Sequence, residues 1–142
     1  MSKKTIICNT APSAIGTYSQ AITVDKFTFI SGQIPLDYKN MSIIEGTFED
    51  QVDTVLTNLK NIASEAQCTL DNCVKFTVYL KDLENFSIVN SVMERHLSEP
   101  YPARAAVEVS RLPKDVQVEI TFDPTWTQDL ISEEAKLELG ML

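Results

Sequence analysis

Two periods of hydrophobicity share this chain, and together they restrict it to folds that lay helices on a sheet. Val52, Val55, Leu56, Leu59, Ile62, Ala63 and Ala66 recur at steps of three and four, which places them on one face of a helix. Thr47 with Asp50 three residues later has the form of a capping box and predicts where that helix starts. A second helix is predicted from Leu83 to about Leu97, with Asp82 as N-cap and Phe86, Val89, Met93 and Leu97 turned inward. A period of two instead marks strands at 26–30, 74–80, 105–109 and 116–122, with shorter candidates at 5–8 and 21–24. The order β-β-β-α-β-α-β-β reads as an α+β fold, a mixed sheet with two helices on one face.

Two helices on one face leave the other face uncovered. Val74, Phe76, Val78 and Leu80 point one way from their strand, while Lys75, Thr77 and Tyr79 point the other. That second face is semi-polar, which suits subunit contacts or a pocket wall better than a dry core.

The length of 142 residues, with 44% hydrophobic and 23% charged, fits one compact domain with its own core. A net charge of -8 opposes any surface that must neutralise phosphates, so nucleic acid is not expected as a partner. Cys8, Cys68 and Cys73 form no C-x-x-C pair and an odd count completes no disulfide framework, so buried reduced thiols are expected. The first residues lack the apolar run of a signal peptide and no segment is long enough to span a bilayer. A cytoplasmic protein without membrane association is the expectation. The character changes at Asp123-Pro124, which is not expected to continue a central strand. The chain is therefore read as a domain over 1–123 and an acidic extension over 124–142, where five acids stand against one lysine from Asp123 onward.

Residues 110–115, Ser-Arg-Leu-Pro-Lys-Asp, separate the last two strands and read as a hairpin link. A register centred there sets Arg104 opposite Glu119, both projecting from the semi-polar face. Taken on its own, such a pair is more often a cross-strand salt bridge, worth at most about 1 kcal/mol on a surface. His96, the only histidine, invites a general-base role, but near a helix C-terminus pairing with the helix dipole is the commoner use.

The stretch Tyr101-Pro102-Ala103-Arg104-Ala105-Ala106-Val107-Glu108-Val109-Ser110-Arg111-Leu112-Pro113-Lys114-Asp115-Val116-Gln117-Val118-Glu119-Ile120 resembles the signature of the RidA family, also called YjgF. Ile15-Gly16-Thr17-Tyr18-Ser19-Gln20-Ala21, Ser31-Gly32-Gln33-Ile34-Pro35-Leu36, and Val78-Tyr79-Leu80-Lys81-Asp82-Leu83 through Asn90 are similar to its other blocks, in the same order. The likeness runs from about Thr5 to Ile120.

The resemblance implies a chorismate-mutase-like subunit assembled as a homotrimer, with the sheets forming a central barrel and sites in the clefts between subunits. It implies hydrolysis of 2-iminobutanoate and 2-iminopropanoate to 2-oxo acids and ammonia, without metal or organic cofactor. Arg104 would hold the substrate carboxylate, since a planar guanidinium takes both oxygens where lysine cannot. Glu119 would activate water, Tyr18 would close the pocket, and Ser31 and Gly32 would contact the substrate closely, with Asn90 a further binding candidate. Thr17 departs from the proline usual before the tyrosine, and Ala105, Ala106 and Thr121 also differ from common family residues. Two other functions stay open at this level. One is a non-catalytic sensor of 2-oxo acids, and the other a ribonuclease or translation inhibitor, a label borne by some relatives.

Overall fold

The computed structural model describes residues 2–125, so the acidic extension from Trp126 onward lies outside the described residues. Among the described residues there are six strands: β1 (Lys3–Ile6), β2 (Ala21–Val24), β3 (Phe27–Gln33), β4 (Lys75–Leu80), β5 (Ala103–Glu108) and β6 (Val118–Thr125). Helices α1 (Phe48–Glu65) and α2 (Phe86–His96) follow β3 and β4, which is the predicted order of elements. The strands form one sheet in the order β1-β2-β3-β6-β4-β5. All neighbours are antiparallel except β4 and β5, which run parallel.

The helix face carries the core. Val52, Val55, Leu56, Leu59 and Ile62 of α1 are fully buried, as are Phe76, Val78 and Leu80 of β4 and Val118, Ile120 and Phe122 of β6. Each such side chain contributes roughly 1.5–3 kcal/mol by leaving water. Phe76 and Phe122 lie in register across β4 and β6 with ring centroids 5.3 Å apart, joining the two strands at the middle of the sheet.

The predicted capping box is formed. The Asp50 N–H donates to Thr47 Oγ1 at 3.2 Å, and the Thr47 N–H donates to Asp50 Oδ2 at 2.8 Å. Two otherwise orphaned donors are satisfied there. Thr47→Ala is expected to cost about 1 kcal/mol, read as a lowered Tm in thermal unfolding with activity retained. The second helix starts less simply than predicted. Asp82 accepts from the Glu84 N–H at 3.0 Å and caps a 3-10 turn over Leu83–Asn85, after which α2 begins at Phe86.

Two expectations are corrected. The link after β5 is not a hairpin: β4 lies between β5 and β6, so the chain crosses over it. The βαβ unit formed by β4, α2 and β5 puts β5 parallel beside β4 at the edge of the sheet, and β6 goes instead between β3 and β4, where Val118, Ile120 and Phe122 are buried in the core. Asp123-Pro124 does not end the central strand either, because β6 continues to Thr125. Thr28 pairs with Thr125 and Ile30 with Phe122, so a bulge at 123–124 absorbs the proline where the ladder is already broken.

Candidate functional site

Arg104 and Glu119 do not share a face. Arg104 is level with Phe76 and so points to the helix side, whereas Glu119 is level with Tyr79 and points to the open side. Three residues along β4 and two strand spacings separate their backbones by about 14 Å. The expected cross-strand pairing is therefore overturned, and the candidate residues fall into two clusters.

The first cluster sits on the open face around a hollow of about 470 Å³ lined by Tyr18, Gly32, Lys114 and Glu119 among others. A bulge in β3 builds it. Ile30 pairs with Phe122 and Gln33 with Ile120, so Ser31 and Gly32 together oppose one residue of β6. Gly32 leaves the space that the Glu119 carboxylate occupies. A Cβ there would collide with the Glu119 carboxylate and lie 3.0 Å from Thr121 Cγ2. Half-buried Glu119 has its carboxyl pushed above the ordinary range by desolvation. A base raised in this way is closer to the pH at which it has to work.

The loop bearing Tyr18 is anchored by a residue that sequence reasoning passed over. Gln20 is buried, with its Oε1 accepting from the Cys8 N–H at 2.7 Å and its Nε2 donating to Cys8 O at 3.0 Å and Pro12 O at 2.7 Å. An amide between a loop and a strand is the one signal that could have marked it, because a buried amide must be satisfied. The Ser31 hydroxyl donates to Ser19 O at 2.6 Å, so its proton holds the loop rather than a ligand. Tyr18 itself is 53% exposed, and its hydroxyl accepts from the Ile15 N–H at 3.3 Å.

The second cluster lies on α2 and the start of β5, beside a hollow of about 240 Å³ lined by Asn90, Met93, Glu94, Leu97, Tyr101, Pro102 and Arg104. The Arg104 guanidinium donates to Asn90 Oδ1 at 2.9 Å, approaches Met93 Sδ at 3.8 Å, and stands 4.7 Å from the centroid of the Phe86 ring. All three partners are neutral. Among the described residues no carboxylate comes within 4.0 Å of it, so the fork is oriented without being neutralised. Asn90 thus steadies the arginine. Phe86 and Met93, read from the sequence only as inner-face residues, do the same.

His96 stands apart from both clusters. Its Nε2 lies 2.7 Å from Asp53 Oδ1, tying the end of α2 to α1. Among the described residues no group of three or more His, Cys, Asp or Glu side chains is placed to hold a metal ion, and no helix is long and apolar enough to cross a membrane.

The model of the family described as Endoribonuclease L-PSP matches residues 8–123. A RutC family protein from Pyrococcus abyssi is 48% identical over 120 residues, covering 84% of this chain and 94% of the relative. A protein from Bos taurus named 2-iminobutanoate/2-iminopropanoate deaminase is 42% identical over 118 residues, covering 83% and 86%. Among solved structures, RidA from an Antarctic Psychrobacter superposes with a TM-score of 0.83 at 45% identity, covering 87% of this chain and 99% of that one. TdcF from E. coli, solved with bound serine, gives 0.80 at 35% identity with the same coverage. With six strands in this order, two helices on one face and a match over nearly the whole described chain, the protein belongs to the Endoribonuclease L-PSP family, the family of RidA.

Proposed function

We propose that the protein hydrolyses 2-imino acids such as 2-iminobutanoate and 2-iminopropanoate to 2-oxo acids and ammonia, at sites formed between copies of the chain. The observation that carries this reading is the oriented, un-neutralised guanidinium on one face and the desolvated carboxyl on the other. An arginine in that state awaits a carboxylate. A glutamate in that state is suited to taking a proton from water. A 2-imino acid offers both groups, but it is only a few ångströms long and cannot bridge about 14 Å within one chain.

A second copy removes the mismatch. On the open face Phe27 and Phe29 of β3 and Val107 of β5 are 43%, 46% and 42% exposed, apolar side chains whose exposure favours cover by another subunit. We take the assembly to be a homotrimer, in which Arg104 and Asn90 of one copy face Tyr18, Gly32 and Glu119 of the next. Such a contact joins two different surfaces and closes as a ring.

In this site Arg104 grips the α-carboxylate and fixes C2 over the carboxyl of Glu119. Water adds to C2 of the protonated imine and gives a proton to Glu119. Glu119 passes that proton to the amino nitrogen of the carbinolamine, accepts the hydroxyl proton as the C–N bond breaks and the carbonyl forms, and returns it to the departing ammonia, which leaves as ammonium. Tyr18 covers the hollow. The protonated imine is electrophilic on its own, so these residues account for every proton moved. Hydrolysis of RNA finds less support, because the net charge is -8 and the single histidine is occupied by Asp53. Added to a dehydratase that releases 2-iminobutanoate from threonine, the protein is expected to speed ammonia release. An unchanged rate, with 2-oxobutanoate still bound, would select the sensor reading instead.

A further inference from the structure

We propose that Lys114 is a positioning residue that draws the carboxylate-bearing substrate into the hollow holding Glu119. This rests on the imine hydrolysis proposed above and adds a second cation to it. Lys114 lies in the turn between β5 and β6 with φ 56 and ψ 21, and Asp115 follows with φ 55. Two successive non-glycine residues in the left-handed region are strained, and such strain persists where surrounding structure holds it for a purpose. Glycine would adopt this backbone without strain. It would also remove the ammonium.

Lys114 lines the same hollow as Tyr18, Gly32 and Glu119. Among the described residues it has no carboxylate within 4.0 Å, while Asp115, its neighbour, is turned to Arg111 at 3.6 Å. In a chain of net charge -8 the net field repels an anionic substrate. An ammonium beside that hollow, unpaired among the described residues, reverses that locally and raises the rate of productive encounter. Its effect falls on substrate capture, since Glu119 performs the proton transfers.

The test compares Lys114→Gln, Lys114→Gly and Lys114→Arg with wild type on enzymatically generated 2-iminobutanoate, at about 0.02 M and about 0.5 M salt, where exposed charges act over much shorter distances. At low salt, kcat/KM is expected to fall roughly tenfold in the Gln and Gly variants with kcat little changed, to stay near wild type in the Arg variant, and to converge for all at high salt. Lys114→Gly should also melt no lower than wild type, which separates lost charge from lost structure. A kcat/KM of Lys114→Gln equal to wild type at low salt, or a loss shared by kcat and indifferent to salt, overturns the role of Lys114 alone. If wild type hydrolyses no imine, the same variants are read by their affinity for 2-oxobutanoate. Absence of both hydrolysis and salt-dependent binding overturns the present inference together with the proposed function.

Discussion

Copies carrying Arg104→Ala and copies carrying Glu119→Gln are each expected to lose a factor of about ten or more in activity, and a co-refolded mixture of the two is expected to exceed the sum of its parents. The reason is geometric. Within one chain the two side chains leave the sheet on opposite faces, so a working site takes its arginine from one subunit and its glutamate from the next. In an equal mixture of randomly assembled rings, about a quarter of the clefts join an intact arginine to an intact glutamate. The Arg104→Ala parent loses a charge-assisted, two-point grip worth about 1.5–3 kcal/mol, a factor of roughly 10 to 150 in kcat/KM. Arg104→Lys should restore little, because an ammonium offers no planar fork. A mixture no more active than the sum of its parents, with mixed rings demonstrated by native mass spectrometry, would sink the shared site.

Glu119→Gln separates function from stability. Activity is expected to fall by about 10²–10⁴, because the amide cannot take a proton from water. Stability at pH 7 should be equal to or higher than that of wild type. Desolvation raises the folded-state carboxyl above its unfolded value, so the folded protein binds that proton more tightly. Its favourable contribution is fully present below the unfolded value of about 4.3 and disappears as pH rises through the raised one. At neutral pH the buried charge is a cost that glutamine removes. In wild type the same shift predicts that kcat/KM declines on acidification before an ordinary surface glutamate would protonate. Thermal melts of both proteins from pH 4 to 8, beside a pH-rate profile, check both halves. A variant much less stable at neutral pH would contradict the assigned environment of Glu119.

Local chemistry was readable in the sequence, while long-range pairing was not. The capping box at Thr47 and Asp50 and the inward stripe of α1 follow from spacing alone, because a helix is closed by bonds to its own near neighbours. The six strands are likewise visible by alternation. What alternation cannot encode is which strand lies beside which. Residues 110–115 read as a hairpin link, yet the helix between β4 and β5 carries the contrary signal, since a strand-helix-strand unit tends to run parallel. The site residues Tyr18, Gly32, Glu119, Asn90 and Arg104 were identified by resemblance, and their division between two faces only by register. Gln20 is not marked by spacing and Phe86 is marked only as an inner-face residue, because each acts through the partner it holds.

The irregular residues of the two central strands are answers to one another. β6 takes in an additional residue near Pro124 and β3 takes in one at Ser31–Gly32, so beyond the interval they run in step again. Shortening either strand alone by one residue would leave the other's extra residue uncorrected. Since neighbouring side chains alternate, half of the sheet would then be turned inside out, sending Ile30 to water and Phe29 into the core. Gene-level trimming at this place would have to remove both insertions together, and the glycine beside Glu119 would go with them.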